Sequence, residues 1–244
     1  MRALTETKLK ALKAKAMIAE KGRATFSVRL GVVGGYLRAA QLRTIGKLAE
    51  RFGDGTVHLT TRQGVEIPHV PFECLETLRV ALDEAGLKLA AGGKCVRGIT
   101  ACPGDYCDCG LIDAQRLAQE LHVRVGSRSR LPHKFKIAIT GCRNSCVMPM
   151  VNDLGIMGVA HGFAVFVGGK VGKQPRWGDR LPMIVPDEAT LFQVVDAVLD
   201  FYVAYGHEQE RFGTTIDRAG LERLLEFLPQ SAVDERRDGK LRVL

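Results

Sequence analysis

The 244-residue sequence contains no apolar run near the roughly 20 residues needed to cross a bilayer. The basic stretch MRALTETKLKALKAKAMIAEKG lacks the apolar core of a secretory signal. Membrane-spanning and secreted readings are therefore set aside, and a cytoplasmic location is expected. Aromatic residues make up only 6% and do not interleave with the basic ones, which argues against a nucleic-acid groove. There is no low-complexity tract and no internal repeat, so a solenoid is excluded. GVVGGY (31–36) lacks G-x-G-x-x-G spacing, and no C-x2-C-x2-C-x3-C-P run is present. Neither a dinucleotide fingerprint nor a separate ferredoxin-type cluster is thus encoded, and any electrons must come from another protein. The six histidines form no metal-ligand pattern.

What is present fits a folded globular chain of one large or two small domains. Hydrophobic residues reach 46% and charged residues 25%, unlike a disordered or collagen-like sequence. Thirty-five Lys and Arg against 27 Asp and Glu give +8, which suits an anionic partner or small oxyanion.

The seven cysteines are the strongest local signal. Their odd number, without a signal segment, argues against a disulfide framework. Cys102, Cys107 and Cys109 form one cluster, Cys142 and Cys146 a second. Two separated clusters of close thiols suit a metal, because each short loop aims sulfurs at one point. Zinc ribbons use tighter C-x2-C knuckles. The wider loops here favour the larger [4Fe–4S] cube, held by four thiolates. The thiols outnumber the four sites, so the second ligand stays open. Cys74, in a helical segment, and Cys95 read as buried apolar side chains.

Organisation follows from periodicity and breakers. Residues 3–22 read as a basic helix or arm. FSVRLGVV (26–33) reads as a strand, LRAAQLRTIGKLAERFG as a helix stopped at Gly53, and VHLTTRQGVEIPHV as two short strands about Gly64. PFECLETLRVALDEAG is a helix closed by Gly86. After the AAGGK linker come the first cysteine loop, the helix LIDAQRLAQEL, the strand FKIAITG and the second cysteine loop. Two strands (GIMGVA, FAVFVGG), a long helix from Asp187 and a last helix near 218–228 complete an α+β chain. Expected boundaries are an arm at 1–24, a first unit at 25–92, a second at 93–230 and a tail at 231–244.

Four cations lie in otherwise apolar segments: Arg29, Arg62, Lys134 and Lys136. If LPHKFKIAIT is a strand, Lys134 and Lys136 share one face and Phe135, Ile137 and Ile139 the other. Singly, each cation reads as a surface or salt-bridge residue; together they suggest a pocket for a small anion or for cofactor carboxylates. His133, beside the lysines, could donate a proton but reads first as a capping or surface residue. Asn144, inside Cys142–Cys146, either assists the sulfurs through its backbone or tolerates a tight left-handed turn.

Four segments together resemble the siroheme-dependent nitrite and sulfite reductases, specifically their small single-repeat members. They are HLTTRQGVEI (58–67), ACPGDYCDCGLID (101–113), LPHKFKIAITGC (131–142) and GCRNSCVMPMVNDLGIMG (141–158). The resemblance implies a ferredoxin-like N-terminal half-domain followed by a siroheme- and [4Fe–4S]-binding domain. Cys102, Cys142 and Cys146 match the cluster motif. The loop departs from C-x5-C: Cys107 leaves it one residue short, and Cys107 rather than Cys109 is the better match. Arg143 replaces a usual proline, while Asn144 is kept.

By that resemblance Cys146 would bridge cluster and siroheme iron. Arg29, Arg62, Lys134 and Lys136 would bind the anion and supply protons, and Thr61, Gln63 and Asn144 would line the cofactor. Six-electron reduction of sulfite to sulfide is the implied reaction, with nitrite reduction to ammonia as the alternative. Larger relatives carry two copies of the unit around one haem, so a homodimer or higher oligomer is expected, with an external donor such as ferredoxin or flavodoxin. A cofactor-bearing electron-transfer subunit without its own reductase activity, and a zinc-stabilised nucleic-acid module, are the readings from other classes.

Overall fold

The computed structural model describes residues 4–229 and 231. Its first unit is a four-stranded antiparallel sheet, β1 (Met17–Ala19), β2 (Thr25–Leu30), β3 (His58–Leu59) and β4 (Val65–Pro71), in the order β1-β2-β4-β3. Helices α2 (Ala39–Phe52) and α3 (Leu75–Glu84) accompany it. Their apolar residues fall at helical spacing: Ile45, Leu48, Ala49 and Phe52 from α2, and Leu75, Leu78 and Leu82 from α3, are buried. They join Phe26, Val28, Val65, Ile67 and Val70 of the sheet in one core. The expected stop at Gly53 is observed, and Gly86, at φ +69°, follows α3.

The basic arm is not one helix. Helix α1 (Glu6–Ala14), capped by Thr5, is followed directly by β1, which pairs with β2. The sheet of the first unit thus begins at Met17 and not at residue 25. Lys/Ala composition gave no sign of this, because a three-residue edge strand is too short to show periodicity.

The second unit is a five-stranded mixed sheet in the order β5-β6-β7-β8-β9. Its strands are β5 (Thr100–Ala101), β6 (Ile137–Thr140), β7 (Leu154–Val159), β8 (Gly162–Val167) and β9 (Asp179–Arg180). The first three are parallel and the last three antiparallel. Helix α4 (Ala114–Val125), N-capped by Asp113, carries the chain from β5 to β6. Helix α5 (Glu188–Tyr205), capped by Asp187, packs Val194, Val195, Val198, Leu199, Phe201 and Tyr202 into the core. The single terminal helix expected near 218–228 is two, α6 (Phe212–Ala219) and α7 (Leu221–Phe227), split at Gly220, which has φ +94°. The expected tail lies largely outside the described residues.

Lys134 and Lys136 precede β6 instead of lying in it, although Phe135 bridges to Val96 and is buried. Strand β6 itself is buried on both faces, as befits the interior of a sheet.

Candidate functional site: two thiol loops and a half-buried cation cluster

The thiol loops follow from the sheet. β5 and β6 are parallel neighbours, so the chain leaves both at the same end. Cys102 comes directly after β5, and Cys142 two residues after β6. The loops lock together through backbone: Leu111 N–H donates to the Gly141 carbonyl at 2.9 Å. Gly104, at φ +62°, lies where a Cβ would meet Ala114 N at 2.6 Å, so this close approach requires glycine. Buried Cys102 already receives the Gly141 N–H on its sulfur at 3.0 Å. Cys107, Cys109 and Cys146 are exposed, and Cys142 is intermediate.

Five thiols on two loops at one sheet end, with a backbone N–H on one sulfur, match in kind the donors of an iron–sulfur cube. Among the described residues no three His, Cys, Asp or Glu side chains are gathered tightly enough to hold a metal ion. Exposure alone does not separate Cys107 from Cys109. Asn144 is exposed, and the left-handed residue of the second loop is its neighbour Ser145, at φ 57°. The tight-turn explanation for Asn144 is thereby removed.

The cations gather before the start of β6, at the opposite end of the strand from the thiols. Arg62 reaches out of the β3–β4 turn into the second unit. Its Nη1 donates to Asn152 Oδ1 at 2.6 Å, and its Nη2 to the carbonyls of Gly98 at 3.1 Å and Ile137 at 3.4 Å. Burial pushes its pKa down to about 10, and Arg211 and Arg97 push the same way against Asp153. Burial also lowers Lys136 to about 8, helped by Arg62, Arg211 and Lys134. Lys134 is lowered by burial and then by Arg211 and Arg97, and His133 by burial and then by Lys134.

Asp153 is the fully buried counter-charge. It accepts from Arg211 Nη2 at 2.9 and 2.8 Å and from the backbone N–H of Lys136 at 2.9 Å. Burial drives its carboxyl upward, and Arg211 opposes this. Arg62, Arg97, Lys134, Lys136 and Arg211 thus act on a locale whose named carboxylate is Asp153. Among the described residues, two buried donors, Arg97 Nε and Arg211 Nε, have no partner. Excess positive charge and orphaned guanidinium N–H groups fit an anionic occupant.

Other expected residues fall elsewhere. Arg29 stands at the margin of the pocket: Arg97 feels its charge, but its Nε is held by Glu66 at 2.6 Å. Gln63, at φ 56°, pairs both ends of its amide with Ala101, accepting the N–H at 2.8 Å and donating to the carbonyl at 2.8 Å. It completes the open edge of β5 and docks one unit on the other. Thr61 is exposed on the same turn. Sequence reasoning missed Arg97, Arg211, Asn152 and Asp153. An Asp one residue before an all-apolar strand was a readable signal, since a buried carboxylate needs a cation. Arg211, in the charged run HEQER, gave none.

An α+β chain that pairs a thiol-rich loop cluster with half-buried cations carries the donor types of an iron–sulfur protein beside a positive field. Residues 92–235 match the family described as the nitrite and sulphite reductase 4Fe-4S domain. Residues 18–85 match the nitrite/sulfite reductase ferredoxin-like half domain. The chain belongs to the nitrite and sulfite reductase family, whose cofactors are siroheme and a [4Fe–4S] cluster. It is 31% identical over 249 residues to an assimilatory ferredoxin-dependent nitrite reductase of Haloferax mediterranei, covering 87% of this chain and 42% of that protein. It is 27% identical to the coenzyme F420-dependent sulfite reductase of Methanocaldococcus jannaschii, covering 86% of this chain and 43% of that one. The structure of the Mycobacterium tuberculosis NirA protein superposes with TM-score 0.82 at 24% identity, over 95% of this chain and 48% of that one. The chain thus spans less than half the length of these relatives.

Proposed function

We propose that this chain is a siroheme–[4Fe–4S] reductase unit that reduces sulfite to sulfide with six electrons from an external protein donor such as ferredoxin or flavodoxin. The observation that carries the reading is the cluster of half-buried cations, with orphaned N–H groups on Arg97 and Arg211, in a chain that also presents two abutting thiol loops. Cys102, Cys107, Cys142 and Cys146 would hold the cluster, and Cys146 would also help to hold siroheme. When bound, the coupled cofactors supply electrons to the anion one at a time.

The protein's own part is electrostatic and protonic. Arg62 and Lys136 would attract the anion, and their partial burial strengthens each interaction. Lys136, with its pKa brought to about 8, is suited to give a proton to a departing oxygen near neutral pH and to regain it from solvent. Lys134 and Arg211 add field, and Arg29, ion-paired with Glu66, adds field without contact. Several cations favour a dianion over a monoanion, which supports sulfite. Nitrite is the second reading, carried by the nitrite reductases among the relatives. Relative kcat/KM for the two anions decides between them.

The site calls for a second copy of the unit. Lys136 and the thiol loops lie at opposite ends of β6, whose four residues alone span roughly 13 Å. One copy's cations would therefore face another copy's cluster, in a homodimer or higher oligomer. A cytoplasmic location is part of the proposal; no helix among the described residues is long and apolar enough to cross a membrane. A strong artificial reductant tests the activity: sulfide production from sulfite supports it, and neither sulfide from sulfite nor ammonia from nitrite would leave an electron-transfer role.

A further inference from the structure

Asn152 lies between the second thiol loop and Arg62 of the same chain. It follows the second thiol loop, is 5% exposed, and uses both ends of its amide. Oδ1 accepts from Arg62 Nη1 at 2.6 Å, and Nδ2 donates to the Met148 carbonyl at 3.0 Å, two residues beyond Cys146. The orientation is forced: a flipped amide would set its N–H groups against a guanidinium and its oxygen against a carbonyl. Met148, at φ 48°, is itself held by its N–H to the Ser145 carbonyl at 2.8 Å. The other two bonds of Arg62 go to backbone carbonyls and are longer, at 3.1 and 3.4 Å. All three use Nη1 and Nη2 and not Nε.

We propose that Asn152 is a positioning residue: it fixes the Arg62 guanidinium at the anion pocket and ties it to the loop that carries Cys142 and Cys146. The inference rests on the reading of Arg62 as an anion-binding group. Asn is the side chain this place needs, because it offers an acceptor to the cation and a donor to the loop carbonyl at once. Alanine offers neither. Aspartate offers the acceptor alone and adds a charge that would neutralise Arg62. The next residue, Asp153, does the parallel task for Lys136 by accepting its backbone N–H. Two consecutive buried polar residues thus set two of the pocket's cations.

The test is a double-mutant cycle on the holoprotein, with sulfite affinity read by calorimetry and melting temperature read alongside. Arg62→Ala should weaken sulfite binding by about ten-fold or more, as expected for loss of a charge-assisted hydrogen bond. Asn152→Ala should weaken it by a comparable factor, chiefly in KM and little in kcat. The double variant should bind sulfite no more weakly than Arg62→Ala alone. Asn152→Asp should still hold Arg62, but it neutralises the guanidinium and leaves the Met148 carbonyl without its donor, so both sulfite affinity and melting temperature should fall. If Asn152→Ala does not fold, the cycle is run with Asn152→Asp, whose loss of sulfite affinity should vanish in the Arg62→Ala background. Unchanged affinity in Arg62→Ala would overturn the anion-pocket reading. A normal response in Arg62→Ala, with effects that add in whichever cycle is run, would overturn the positioning role alone.

Discussion

Lys136 carries the clearest pH signature among the pocket residues. Its folded pKa, about 8, lies below the ordinary lysine value, because burial and then Arg62, Arg211 and Lys134 oppose its charge, with Asp153 alone pulling the other way. The sign is the reverse of an ion-paired lysine. The folded state is penalised for holding the proton below about pH 8, and the penalty is relieved as pH climbs towards the ordinary value. An anion in the pocket would restore the charge. Nitrite, whose own charge is constant across this range, should bind the holoprotein best below pH 8 and progressively less tightly above it. Lys136→Met should flatten that profile. A profile through pH 8 that is the same in both proteins would remove Lys136 from the pocket.

At the scale of elements, Asp153 joins β6, β7 and the start of α6 through Lys136 N–H and Arg211. Asp153→Ala would leave the partly buried Arg211 without its counter-charge, at a cost of roughly 3–5 kcal/mol, which chemical denaturation would read. Asp153→Asn should recover part of this by keeping an acceptor for the Lys136 N–H. The first thiol loop depends on Gly104 in a different way. A Cβ there would stand 2.6 Å from Ala114 N in a left-handed backbone, so Gly104→Ala should displace the loop and lower bound iron while leaving the helical circular dichroism near that of the parent. Equal iron content in parent and variant would show that the loop geometry is not needed to load the cluster.

At the scale of the whole molecule, the long periodic elements were legible in the sequence: α2, α3, α4 and α5 form where apolar spacing and capping residues placed them. The short edge strands β1, β5 and β9 were not, because two or three residues carry no period and exist only through their neighbours. The thiol clusters and the cations Arg62 and Lys136 were visible as residue types. Asn152, Asp153, Arg97 and Arg211 were not visible as members of one site, because only the parallel order β5-β6-β7 and the return of α6 bring them together. The same arrangement sets thiols and cations at opposite ends of β6. A mixture of a Cys146→Ser protein with a Lys136→Met protein should therefore regain activity that neither shows alone, through hybrid sites carrying both intact halves.

The central claim is that the thiol loops hold a [4Fe–4S] cluster coupled to siroheme, next to an anion pocket. An absorption spectrum of anaerobically purified protein, with iron, zinc and acid-labile sulfide measured on the same sample before and after sulfite is added, tests it most directly. The account predicts a haem-type Soret band that shifts with sulfite, about five irons and about four sulfides per chain. Zinc in a colourless protein, or a full iron–sulfur complement without a haem spectrum after siroheme is supplied, would contradict it.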